Sequence, residues 1–246
     1  MSRLFFTVFL SISFLGYSQK QIDSQDHAWV MYTGNHKFSE RWGLHTEYQW
    51  RRSDFFDHWQ QSLLRLGVDH YLPSGVQLTI GYGWIKTFPY GSQPIAHYNN
   101  EHRIWQQLIL KNKAGRVDFQ HRYRLEQRFI ENWDHSEGEW KRENHLFRQR
   151  VRYRFLVTVP LSRKELEDKT LFLALYDEPF LGFGKGIGKN ILDQNRLYSA
   201  LGWRFNKTLN IQLGYMNQYV VKSDGIKAER NHTLQIGFTY NLDLSN

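Results

Sequence analysis

The chain has 246 residues, a formal net charge of +8 at pH 7, 23% charged residues and no cysteine. The length fits one large all-β domain as readily as two smaller ones. No stretch reaches the ~20 apolar residues of a membrane-spanning helix, and zero Cys excludes structural disulfides and a lipidated N-terminal cysteine. Aromatics at 16% are more than an ordinary soluble domain uses. The excess of Lys and Arg does not imply nucleic acid as a partner, because these residues fall on alternate strand positions and not in helices or flexible tails.

Taken from the start, Arg3 supplies a positive charge, residues 4–15 an apolar run, and Gly16 and Ser18 small residues at the usual recognition positions. This predicts a signal peptide over residues 1–18, cleaved before Gln19, and a mature domain over residues 19–246. Residues 19–26 are polar and are expected to be flexible, or to hide one weak strand. A first strand is expected over 27–38, a turn at Ser39-Glu40-Arg41, and a second strand over 42–51. In the second, Trp42, Leu44, Thr46, Tyr48 and Trp50 share one face, and Gly43, His45, Glu47, Gln49 and Arg51 the other. Trp42 and Trp50 are eight residues apart, roughly 26 Å along a strand, which approximates the height of a lipid-facing band with an aromatic at each rim.

Strands follow over 59–72, 76–88 and 101–111, with Pro73-Ser74-Gly75 as a tight turn. Next comes a hairpin with one greasy and one charged face. Its first arm alternates Asp118, Gln120, Arg122, Arg124, Glu126 and Arg128 with Val117, Phe119, Tyr123, Leu125 and Phe129. Its second arm alternates Arg148, Arg150, Arg152 and Arg154 with Phe147, Val151, Tyr153 and Phe155. Residues 134–144 between the arms read as a loop. The remaining strands are expected over 170–180, 195–205, 209–221 and 231–242, and residues 182–194 read as a second long loop.

This plan predicts an all-β chain forming a single antiparallel transmembrane β-barrel in the outer membrane, lipid outside and charged lumen inside. Alternation counts eleven strands. Bacterial single-chain barrels close with an even number, so about twelve are expected, with ten as the other choice. Connections alternate between tight turns and longer charged loops, as in barrels with short periplasmic turns, except that the connection over residues 161–169 is long where a short one is expected. An arginine on the lipid face near the midplane costs roughly 2–4 kcal/mol, so the arginine ladder is expected to point inward. Like charges on adjacent strands repel, so acids must interleave. Glu47, Asp118, Glu126, Asp177 and Glu178 are the candidates. Asp177 and Glu178 are neighbours in sequence and face opposite ways in a strand, so they do not form an acid and base pair.

Other chemistry has little support. The run from Gly182 to Lys189 lacks the offset and the Ser or Thr of a phosphate-binding loop. No nucleophile elbow, metal-binding helix or Cys/His spacing occurs, and Ser62, four residues after His58, is the one near pairing of its type. No catalytic residue, metal or cofactor is expected.

Several runs have a family look: Trp29-Val-Met-Tyr-Thr-Gly-Asn35, Leu175-Tyr-Asp-Glu-Pro-Phe-Leu-Gly-Phe-Gly184, Asp193-Gln-Asn-Arg-Leu-Tyr-Ser-Ala-Leu-Gly202 and Leu213-Gly-Tyr-Met-Asn-Gln218. With the arginine strands, they make nearly the whole mature chain resemble the DUF2490 family of uncharacterised Gram-negative outer-membrane barrels. The resemblance implies fold and location and brings no activity. The functional expectation is a structural or interaction barrel with an ion-paired lumen. The alternatives are a porin-like, anion-favouring channel or small-solute binder, and a lipid-modifying membrane enzyme. Expected partners are outer-membrane lipid and lipopolysaccharide, the barrel assembly machinery during biogenesis, and in the alternative a small anionic solute.

Overall fold

A computed structural model describes residues 20–92, 94–185, 187 and 190–245. The expected signal peptide lies outside the described residues. The described chain is all β, with eleven strands: β1 (Gln21–Lys37), β2 (Trp42–Ser53), β3 (His58–Tyr71), β4 (Gln77–Thr87), β5 (Asn99–Ala114), β6 (Val117–Ser136), β7 (Glu139–Pro160), β8 (Thr170–Phe183), β9 (Leu192–Arg204), β10 (Leu209–Val221) and β11 (Lys227–Tyr240). Each pairs with its sequence neighbours, and β1 pairs with β11 to close one barrel.

The closure explains the strand count. All sequential pairs are antiparallel, but β1 and β11 run parallel, in register from Gln21↔Lys227 to Thr33↔Thr239. A meander with an odd number of strands brings its first and last strands side by side in the same direction, so eleven close without the twelfth that even closure would supply. The polar residues 21–26, expected to be flexible, belong to this closing strand: Asp23, Gln25 and their neighbours take backbone partners from β11. Their polarity hides a strand because pairing there is by backbone and the side chains sit near a rim.

The two rims differ. One carries the tight connections and, as its exception, the long β7–β8 connection over residues 161–169; there Gly115 (φ 59) takes the first position of a two-residue turn between β5 and β6. The other carries the longer connections and one exception to the sequence reading. Residues 134–144 are not a loop. They continue β6 and β7 as a hairpin, turned by Glu137 (φ 56) and Gly138 (φ 83), whose two positive φ values match the primed turn that suits the strand twist. The extended arm carries an aromatic cluster: the rings of His97 and Trp133 lie 4.4 Å apart and those of His135 and Trp140 4.7 Å apart.

Side chains alternate across the wall. Trp42, Leu44, Tyr48, Leu66, Ile80, Tyr82, Ile104, Leu201 and Leu213 are exposed on the outside. Their inward neighbours, among them His45, Glu47, Gln49, Arg65 and Arg103, are buried. Near one end of β2, Trp42 packs on His70 at 4.4 Å, and near the other Trp50 meets Trp59 at 6.1 Å. Inside, an apolar cluster of Trp29, Tyr198, Ala200 and Met216 fills the part lined by β1, β9 and β10. The rest of the lumen is polar.

Candidate functional site

Adjacent inward positions on β6 and β7 stand opposite one another: Arg122↔Arg154, Arg124↔Arg152, Glu126↔Arg150 and Arg128↔Arg148. Three of the four pairs are arginine against arginine, which two strands alone would not tolerate. The counter-charges come from Glu126 on β6 itself and from acids on other strands of the wall. Glu126, with no exposed surface, takes Arg150 at 2.6 Å and Arg152 at 2.8 Å from β7, Arg103 at 3.8 Å from β5 and Arg65 at 3.4 Å from β3. Glu178 of β8 accepts from Arg122 at 2.5 Å and Arg152 at 2.7 Å, reaching over β7 to β6. Glu101 of β5 holds Arg128 at 2.7 Å and the neighbouring Arg103. Glu47 of β2 takes Arg65 at 2.6 Å and approaches Arg124 at 4.0 Å. Asp193 of β9 takes Arg150 at 2.5 Å.

Amide oxygens and rings complete the shell. Arg124 donates to Gln107 at 2.9 and 2.6 Å and stacks 4.6 Å from the Trp105 ring. Trp105 fits because Gly67 and Gly81 face it without side chains; a Cβ on Gly81 would stand 2.6 Å from the indole. Phe180 has the guanidinium carbons of Arg150, Arg152 and Arg196 at 4.9, 4.1 and 4.8 Å from its ring centre. Trp29 carries Arg51 at 3.9 Å and Arg196 at 5.2 Å, and its indole N–H donates to Gln60 at 2.7 Å. Guanidinium on aromatic is favourable and strengthens with desolvation.

Not every residue picked from the sequence joins this network. Arg148 lines a smaller neighbouring cavity with Asn190 and Asp193. Asp118 sits at the β5–β6 turn end, with Lys113 and Thr158 as backbone partners, and makes no ion pair among the described residues. Asp177 is on the outer face, exposed, where Asn195 donates to it at 2.9 Å. His58 and Ser62 do not meet: His58 pairs with Asp54 at 3.2 Å, while Ser62 contacts the Tyr48 hydroxyl at 3.3 Å. Residues that sequence reasoning did not single out as a site include Arg51, Arg65, Arg103, Glu101, Asp193 and Arg196. All but Asp193 share the inward parity of their strands, which was the available signal; Asp193 is off the parity of Gln194 and Arg196, at a register shift between β8 and β9, in a stretch that reads as loop.

The network leaves a cavity of about 430 Å³. Ten arginines and Lys111 line it, against three carboxylates, those of Glu47, Glu178 and Asp193. Tyr90, from the connection between β4 and β5, folds inward over it and donates to Glu229 at 3.2 Å. The arrangement can do two things chemically: fasten distant strands to one another, and present fixed cations to a solute. No curated protein and no solved structure matches the chain. Residues 26–241 match the family model described as a protein of unknown function (DUF2490), and the chain belongs to that family.

Proposed function

We propose that this protein is an outer-membrane β-barrel with a structural or interaction role, its lumen shut by ion pairs and its extended β6–β7 hairpin offered to the envelope or a partner. The observation that carries the reading is Glu126. One carboxylate without exposed surface is held by four guanidiniums from β3, β5 and β7. A water-filled channel does not need such a knot across its bore, whereas a plugged barrel does.

The membrane part of the reading is supported by the outer face. Leu66, Ile80, Leu201 and Leu213 are each about half exposed or more, on strands spread around the wall, and so broad an apolar exterior on a closed sheet suits lipid. The aromatic pairs near the two ends of β2 suit the two interfaces. Outer-membrane lipid and lipopolysaccharide are then the surroundings, reached through the barrel assembly machinery, and the exposed Trp140 with His97 and Trp133 gives the projecting hairpin a contact surface. The reading gives the chain no catalytic role.

Conductance of the refolded mature protein in a planar bilayer tests it. A folded barrel that gives no current steps at any salt gradient fits the plugged lumen. Steady steps with anion preference would overturn the plugged lumen and make the arginines a selectivity element.

A further inference from the structure

The arginines of the lumen are not equally provided for: Arg148, Arg154, Arg51 and Arg196 make no ion pair among the described residues, and two of these, Arg51 and Arg196, share one aromatic ring. Arg152 has Glu126 and Glu178, and Arg128 has Glu101. Arg196 is 7% exposed, makes no ion pair among the described residues, and its Nε has no hydrogen-bond partner. Arg51 is 6% exposed and touches the side-chain oxygens of Gln49 and Gln61, but no carboxylate. Both guanidiniums lie against the one Trp29 ring, which Gln60 holds in place. Both line the large cavity, where cations outnumber carboxylates, and Gln194 and Gln218 line it beside them.

Burying a cation without a counter-charge is costly, and an arginine so placed is stable only if something anionic comes to it. The nearest carboxylates, Glu178 opposite Arg196 in the register and Glu47 on the inward face of β2 with Arg51, are taken up by Arg122, Arg152 and Arg65 and form no ion pair with Arg51 or Arg196 among the described residues. Their shared ring limits the rotamers of both, so less entropy is lost when a third group binds. A guanidinium grips a flat or tetrahedral oxyanion through two parallel N–H groups, which a halide does not exploit. About 430 Å³ falls within the range of small-molecule sites. The carboxamides of Gln60, Gln61, Gln194 and Gln218 suit hydroxyls on the body of such a molecule.

We propose that the cavity binds a small hydroxylated solute carrying a phosphate or carboxylate group, its oxyanion held between Arg51 and Arg196 beside Trp29. This goes beyond the plugged-barrel reading, since a lumen can be shut to flow by the Glu126 knot and still hold a solute. It does not depend on the lipid environment, so the test uses detergent-refolded protein.

Titration calorimetry of the refolded mature chain is run at low salt with pyrophosphate, citrate and trehalose in turn. At least one of the two anions is expected to bind saturably at one site, and trehalose far more weakly. Arg51→Gln with Arg196→Gln should weaken the anion about tenfold or more. Arg163→Gln, a turn arginine paired with Glu167 at 3.2 Å, should leave the affinity as it was. Absence of saturable binding by the folded protein overturns the proposal, as does equal affinity in the double variant, or trehalose binding as tightly as the anions. If the double variant does not fold, Arg196→Lys keeps the charge and removes the fork. A severalfold loss of affinity with an unchanged melting temperature then supports the site, and an unchanged affinity overturns it.

Discussion

Glu126 on β6 and Arg65 on β3 meet at 3.4 Å, three strands apart in the wall. Neighbouring strands of a barrel are tied by their backbones whatever their side chains do. A contact between strands that do not pair is different, because it resists flattening of the cross-section and narrows the bore. Arg103, Arg150 and Arg152 converge on the same carboxylate.

Glu126→Gln keeps the size of the side chain and removes its charge, leaving four guanidiniums without their common counter-ion. Removing one partner from a buried ion-paired set costs about 3–5 kcal/mol. Urea unfolding of the refolded barrel should show a clearly lower midpoint than the parent. An unchanged midpoint would mean that the network fastens nothing.

Two arginines of equal burial should respond in opposite ways to removal. Arg152 bridges Glu126 at 2.8 Å and Glu178 at 2.7 Å, so Arg152→Met strands two buried carboxylates and destabilises by about 3–5 kcal/mol. Arg196 has no ion pair among the described residues, so Arg196→Met in the absence of ligand relieves an unpaired charge and should be neutral or stabilising. Paired melting curves decide it, and equal losses in the two variants would refute the distinction.

The seat of Trp105 can be tested through the glycine beneath it. A Cβ on Gly81 would come 2.6 Å from the indole, whereas one on Gly237 meets nothing nearer than Gln212 Cβ at 3.8 Å. Gly81→Ala therefore pushes Trp105, which supports Arg124, and should cost about 1–3 kcal/mol as overpacking. Gly237→Ala should change stability little. Unfolding midpoints for the two variants are the measurement.

The turn between β10 and β11 carries a local pH dependence. Asp224 accepts from the backbone N–H of Lys227 and Ile226, each at 2.9 Å, and these bonds hold its carboxyl below the usual aspartate value. A depressed folded value means that the turn's contribution is present above the ordinary aspartate range and is lost as pH falls through the lower, folded one. In a carboxyl-carbon NMR titration Asp224 should be among the last carboxylates to protonate. Titration at the ordinary aspartate value would show that the turn does not hold it.

Most of the wall was legible in the sequence because barrel strands obey a period of two, and Trp42 to Arg51 or Leu78 to Trp84 show it without interruption. The closing strand was harder. Residues 21–26 alternate no apolar side chains, so only backbone pairing with β11 reveals them as strand. The hairpin arms over residues 134–144 failed for a similar reason: beyond the apolar band both faces are polar, and a strand there reads as loop. The lumen was legible by parity alone. Parity puts Glu126 and Arg196 on the same side of the wall, but which acid meets which base depends on contacts across the bore, such as Glu178 with Arg122 past β7, and no local pattern encodes them.

The outer face supplies the sharpest test of where the barrel resides. Ile80 is 59% exposed, between outward Val68 on β3 and outward Gln106 on β5. If the face meets water, Ile80→Arg is a surface substitution and should change stability by no more than about 0.5 kcal/mol. If it meets hydrocarbon, the same arginine, at the level of Leu44 between the Trp42 rim and the middle of the band, should cost about 1–3 kcal/mol. The measurement is reversible unfolding in phospholipid vesicles. The same substitution at Lys164, in the connection between β7 and β8, serves as a reference that leaves the lipid-facing band untouched. A loss confined to Ile80 supports lipid around the wall. No loss at either position would remove the membrane from the reading.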